Sequence, residues 1–104
     1  MDIGSIKKYS DLAYDLALTK RNALEKMRAR QIMAYNGRLF RADAHTINLV
    51  STFKAHAKTF VMLDVNDNPC EITDPADFLR QLIERNQETL HTLNQLHQQL
   101  KKRI

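Results

Sequence analysis

From Pro75 to the end of this 104-residue chain there is no glycine and no further proline, so nothing interrupts a helix for thirty residues. Asp74-Pro75-Ala76-Asp77 opens that stretch with a cap, a proline at the first helical position and an acid three residues after the cap. One helix over 74–104 is the direct expectation. At 1.5 Å per residue it would be about 45 Å long, more than a compact domain of this size is wide. Its apolar positions are Leu79, Leu82/Ile83, Leu90, Leu93, Leu96, Leu100 and Ile104. With Asn86 and His97 they give a seam at 79/83/86/90/93/97/100/104, about three and a half heptads. Left wet, such a stripe forgoes roughly 25 cal/mol for each Å² of apolar surface.

Two coverings are open. An N-terminal helix can fold back antiparallel along the stripe, or neighbouring copies can pair their own terminal helices. Asn86 and His97 suit the second, because a polar residue inside a seam fixes register. The expected partner-binding residues are therefore Asn86, Leu90, Leu93, Leu96, His97, Leu100 and Ile104, and the expected particle is at least a dimer. Leu93→Asp and Leu100→Asp are expected to dissociate it while the rest stays folded.

The remaining chain reads as one domain over 1–104: an N-terminal helix over 5–30, a compact centre over 31–73 and the terminal helix. In the first, Ser5 or Ser10 can serve as the cap, and apolar residues recur from Ile6 to Met27 at three-and-four spacing. Lys20 and Arg21 interrupt the stripe, so the face thins there or their aliphatic stems lie along it. Asn36-Gly37 predicts a hairpin of about 31–35 and 38–42, because both residues accept positive φ. The alternative is a C-cap of the first helix. Asp43 can cap a central helix to about Lys58. Thr59–Val65 and Cys70–Thr73 read as strands around the Asn66-Asp67-Asn68-Pro69 turn, with Cys70 and Ile72 on one face. Phe53, Val61, Leu63, Ile72, Phe78, Leu79 and Leu82 are the expected local core. The fold class is α+β and helix-dominated, with small hairpins around a central helix.

The residues of chemistry are thinly spread. A lone Cys70 excludes an intramolecular disulfide and a four-cysteine zinc site. His45 and His56 lie three helical turns apart, and His91 and His97 miss the i, i+4 spacing that chelates from one helix. Asp64-Val65-Asn66-Asp67-Asn68 resembles a calcium loop only superficially, since the twelfth position is Pro75 rather than a glutamate. With Gly4 and Gly37 the sole glycines there is no phosphate loop. No enzyme, cofactor or metal site is expected. No apolar run approaches the roughly 18–20 residues of a bilayer span, and Met1–Lys8 lacks the order of a signal peptide, so a soluble product of a reducing compartment is expected. The whole net charge of +4 sits in residues 1–40. That invites nucleic-acid binding through Lys20, Arg21, Lys26, Arg28 and Arg30. Without a platform of stacking aromatics, a solvated basic face is the favoured reading.

The run Arg30-Gln31-Ile32-Met33-Ala34-Tyr35-Asn36-Gly37-Arg38-Leu39-Phe40-Arg41-Ala42-Asp43, then Ile47, then Asp64 to Thr73 leading into a leucine-bearing helix, resembles a small domain of unknown function. That domain is found in tail-fibre, tail-tip and related virion proteins of tailed bacteriophages. The likeness spans about residues 28–100, and its shared positions are mostly structural. This chain lacks the tryptophan of the later strand, where Phe60 or Leu63 stands instead. The resemblance implies a non-enzymatic virion component of the tail, neck or baseplate, assembling with itself or with a neighbouring virion protein. A tail or fibre assembly chaperone and a small nucleic-acid-binding regulator are the alternatives.

Overall fold

The computed structural model describes residues 3–102, with side chains described from residue 11 onward. The elements run α1 (Ile3–Arg30), β1 (Ile32–Tyr35), β2 (Arg38–Arg41), α2 (Ala44–His56), β3 (Phe60–Leu63), β4 (Pro69–Ile72) and α3 (Pro75–Lys101). The fold is α+β and helix-dominated, with the two long helices bracketing the centre. α1 begins ahead of both Ser5 and Ser10, so both serines stand inside the helix rather than at its start.

Local chemistry explains each break. Asn36 and Gly37 have φ of 51° and 73°, the left-handed pair that a two-residue hairpin turn requires. Tyr35 pairs with Arg38 across that turn, so the dipeptide closes a hairpin and does not cap α1. The Asp43 carboxylate accepts the Thr46 amide at 2.9 Å and starts α2. Asp74 accepts the Asp77 amide at 3.2 Å and starts α3. The second turn is built on Asp64, whose Oδ1 accepts the amides of Asn66 at 2.9 Å and Asn68 at 3.0 Å. Asp67 follows with φ 61°.

The two hairpins form separate two-stranded sheets. They are tied at their ends by the Val65 amide donating to the Leu39 carbonyl at 2.9 Å and by Arg38 reaching Asp64 at 3.3 Å. Their inner faces meet α2 and the start of α3. Met33, Tyr35, Phe40, Ala42, Val50, Met62, Cys70, Ile72, Phe78 and Leu82 make the core. Phe78 sits at its centre, 4.6 Å from the Tyr35 ring and 4.8 Å from Phe40 between ring centroids.

The expected core needs a correction. Ile72, Phe78 and Leu82 are buried, Leu79 packs against them, and Phe53 is half-buried against Phe60. Val61 and Leu63, however, are 61% and 55% exposed. The reason is strand parity. Phe60 stands opposite Ile72 and Met62 opposite Cys70, and directly opposed residues share a face of the sheet. With Cys70 and Ile72 inward, Val61 and Leu63 must point out.

The molecule measures 66 × 24 × 22 Å with a radius of gyration of 19.4 Å. A compact chain of this length would have a radius near 13 Å. The excess is an arm. Residues 31–86 form a head, and α1 with the second half of α3 projects from it.

Candidate interaction surface

The arm is joined to the head by a run of hydrogen bonds at buried and half-buried groups. Asn86 donates its side-chain amide to the Ala42 carbonyl at 3.0 Å, and Ala42 donates its own N–H to the Gln31 carbonyl at 2.7 Å. Gln31, itself buried, donates its side-chain amide to Thr89 Oγ1 at 3.3 Å, and Thr89 donates to the Asn86 carbonyl at 2.8 Å. Arg85 caps the end of α1 by donating to the Arg30 carbonyl at 3.0 Å. Asn86 therefore sets a register within the chain, fixing α3 against the first hairpin.

From that joint the two helices run antiparallel. Arg30 lies by Arg85, Gln31 by Thr89, and further out Thr19 and Ala23 share a groove with Leu100. Of the two coverings open to the terminal stripe, the fold-back of the N-terminal helix is the one present in the chain. The buried line on α3 is Phe78, Leu82, Thr89 and Leu100. Phe78, Leu82 and Thr89 each stand one residue ahead of 79/83/90 in the expected seam, about 100° round the helix. Phe78 and Leu82 face the head, and in the arm the fold-back buries Leu100, half-buries Leu93 and leaves Leu90 and Leu96 partly open.

Each expected contact residue can be placed on this frame. Leu100 is buried within the arm, Leu93 is half-buried, and Leu90 and Leu96 remain 39% and 40% exposed. His97 is exposed and Asn86 is taken up by the joint. Ile104 lies outside the described residues. Leu93→Asp and Leu100→Asp would consequently strike the arm's own packing as well as any outside contact, so Leu90 and Leu96 are the cleaner probes.

The arm has two unlike sides. On one, Ala23 and Leu24 of α1 and Leu90, Leu93 and Leu100 of α3 line an apolar groove of about 360 Å³. Its charged or ionisable lining groups are Lys20 and His97, with no carboxylate. Lys20, which interrupts the α1 stripe, is exposed and borders this groove. On the other side, Lys26, Arg30, Thr92, Gln95 and Gln99, with Met27 and the shared Ala23, Leu93 and Leu96, line a mixed groove of about 340 Å³. Of the α1 cations, Lys20 borders the first groove, and Lys26 and Arg30 the second.

Helix α1 also reaches past the end of α3. Thr19 is level with Leu100, which leaves roughly 16 helical residues beyond it, or about 24 Å at 1.5 Å per residue. On this overhang Leu12 is 54% exposed, and Tyr14 and Leu18 are exposed as well. It is α1, rather than the terminal helix, that outruns its neighbour. The sequence placed the surplus on 86–104 because the terminal helix alone is longer than a compact domain of this size is wide.

Elsewhere the ionisable groups serve structure. Two turn amides, and then Arg38, hold the Asp64 carboxyl below the ordinary carboxylate range. Arg80 first, then Tyr35 and Gln81, do the same for Asp77. Burial and the Asp77 partner raise the Tyr35 phenol above its usual value. Cys70 is buried with its thiol 3.7 Å from the Glu71 carbonyl. Among the described residues no three His, Cys, Asp or Glu side chains gather closely enough to hold a metal ion, and no helix is long and apolar enough to cross a membrane. Comparison with known protein families, with curated proteins and with solved structures finds no match for this chain.

Proposed function

We propose that this protein is a non-catalytic assembly module, which joins copies of itself or a neighbouring protein through its two-helix arm. The observation that carries this reading is the open apolar groove along Leu90, Leu93 and Leu100, continued by the overhang of α1. Contiguous exposed apolar surface on a small chain marks a contact surface. The same reading is supported by the first groove's lining, mostly alanine and leucine with no carboxylate, whereas the second mixes apolar side chains with amides, hydroxyls and two cations. The phage-virion resemblance of residues 28–100 supplies the setting: a bacteriophage tail, neck or baseplate, assembled in the host cytoplasm and carried in the virion.

Two measurements test it. Mass spectrometry of purified virions should find the chain as a component. A Leu90→Asp/Leu96→Asp double variant, altered only at exposed positions, should keep its helical signal and melting profile yet fail to be incorporated. Normal incorporation of that variant would overturn the reading.

A further inference from the structure

The apolar groove of the arm differs between its two ends. Its leucines on α3 run from Leu90 to Leu100, about 15 Å or three helical turns, with Ala23 and Leu24 on the facing wall. Its two ionisable lining groups stand together. Thr19 is level with Leu100, so Lys20 on α1 and His97 on α3 both lie at the outer end of the trough, within a turn of Leu100. Both are exposed, and neither pairs with a carboxylate among the described residues. The inner end, by Leu90, has no ionisable lining group.

We propose that the groove takes an amphipathic helix of another protein, whose apolar ridge of about three turns ends in acidic residues. This rests on the assembly reading above and chooses a neighbouring protein over a second copy. A trough between two packed helices is shaped for a third, which lays its i, i+3, i+4 and i+7 positions along the floor. Leu90 and Leu96, still 39% and 40% exposed, are the surface such a guest removes from water. Lys20 and His97 then select the guest by charge, attracting an acid at their end and rejecting a cation. This chain has no such helix to offer. It carries no acid after Glu88, while His91, His97, Lys101 and Lys102 all follow, so the α3 arm of a second copy brings no carboxylate to Lys20. The overhang of α1 sets Lys7 and Lys8 against Asp11 and Asp15, which leaves it without net charge for the groove to select.

Two probe helices test the selection, each fused to an inert carrier protein large enough to be weighed. Both are alanine-based, about 18 residues long, with the same leucines at i, i+3, i+4 and i+7. One ends its leucine ridge with a pair of glutamates and the other with a pair of lysines. Light scattering of the mixture should show a complex with the glutamate probe. Titration should find that probe bound on the order of 10-fold more tightly than the lysine probe. Lys20→Glu should reverse the order, and Leu90→Asp should weaken both probes alike. Both positions are exposed, and an unchanged helical signal checks that each variant is folded. Equal binding of the two probes, no binding of either, or an order that Lys20→Glu leaves unchanged overturns the proposal. A natural chain that is dimeric alone and becomes monomeric on Leu90→Asp overturns it as well, because a second copy then fills the groove, and assembly through the arm survives that result. Normal incorporation of Leu90→Asp/Leu96→Asp into virions overturns the assembly reading itself.

Discussion

Head and arm use the same kinds of residue to opposite ends. In the head, Phe40, Val50, Ile72, Phe78 and Leu82 are almost wholly removed from water, drawn from two hairpins and two helices that enclose a shared centre. In the arm, two helices lie side by side, and among the described residues Leu100 is the one large apolar side chain from Leu90 onward that is buried. The difference is dimensional. A helix pair can hide only the strip along which it touches, whereas layers meeting from several directions can close around a core. The head encloses its apolar side chains, and the arm leaves part of its own open.

Substitutions can break that contrast at graded strength. Phe78→Ala removes the ring between Tyr35 and Phe40 and should cost about 3–5 kcal/mol, read by chemical denaturation. The head should lose its cooperative transition, and hydrogen exchange should show the hairpins opening with it. Asn86→Ala strikes the joint. It strands the Ala42 carbonyl beside a buried amide network and should cost about 1–3 kcal/mol, with faster exchange at the base of both arm helices. If that variant frays the tip of the arm but not its base, Asn86 is not the clamp that the geometry makes it.

Gly37→Ala is smaller. Open space surrounds the added Cβ, so the penalty is the left-handed backbone alone, about 1–2 kcal/mol. Leu90→Asp sharpens the contrast from the other side. Its stability should change by less than about 0.5 kcal/mol in the isolated chain, yet association measured by light scattering should fall. Acid should act on the head through Asp64 and Asp77. Both carboxyls titrate lower when folded than when unfolded, so the stabilisation they give is fully present above about pH 4, the ordinary carboxylate range. It is lost as the pH falls through their depressed folded values. Asp64→Asn should flatten that acid limb of the melting curve.

Much of this architecture can be read from particular residues. Asn36-Gly37 dictates its turn because both positions need positive φ, and Asp43 and Asp74-Pro75 mark helix starts with groups that satisfy free amides. Val61 and Leu63 are instructive misreadings. Hydropathy put them inside, but the face shared by Cys70 and Ile72 already required their neighbours Phe60 and Met62 to take the inner positions. Asn86 misled for a deeper reason. A polar residue in a heptad seam looks the same whether its partner is a second copy or, as here, a carbonyl forty-four residues away in the same chain.

Alone, the sequence determined the elements and their order, and its caps and turns marked the starts of α2 and α3 and the first hairpin, though not the start of α1. It also determined that the long helices carry more apolar surface than one small core consumes. Only the tertiary structure decided which face of α3 is covered and where α1 outruns it. Those outcomes depend on the offset at which two helices lie together. A joint formed by Gln31, Asn86 and Thr89, residues distant along the chain, fixes that offset, and no local pattern encodes it.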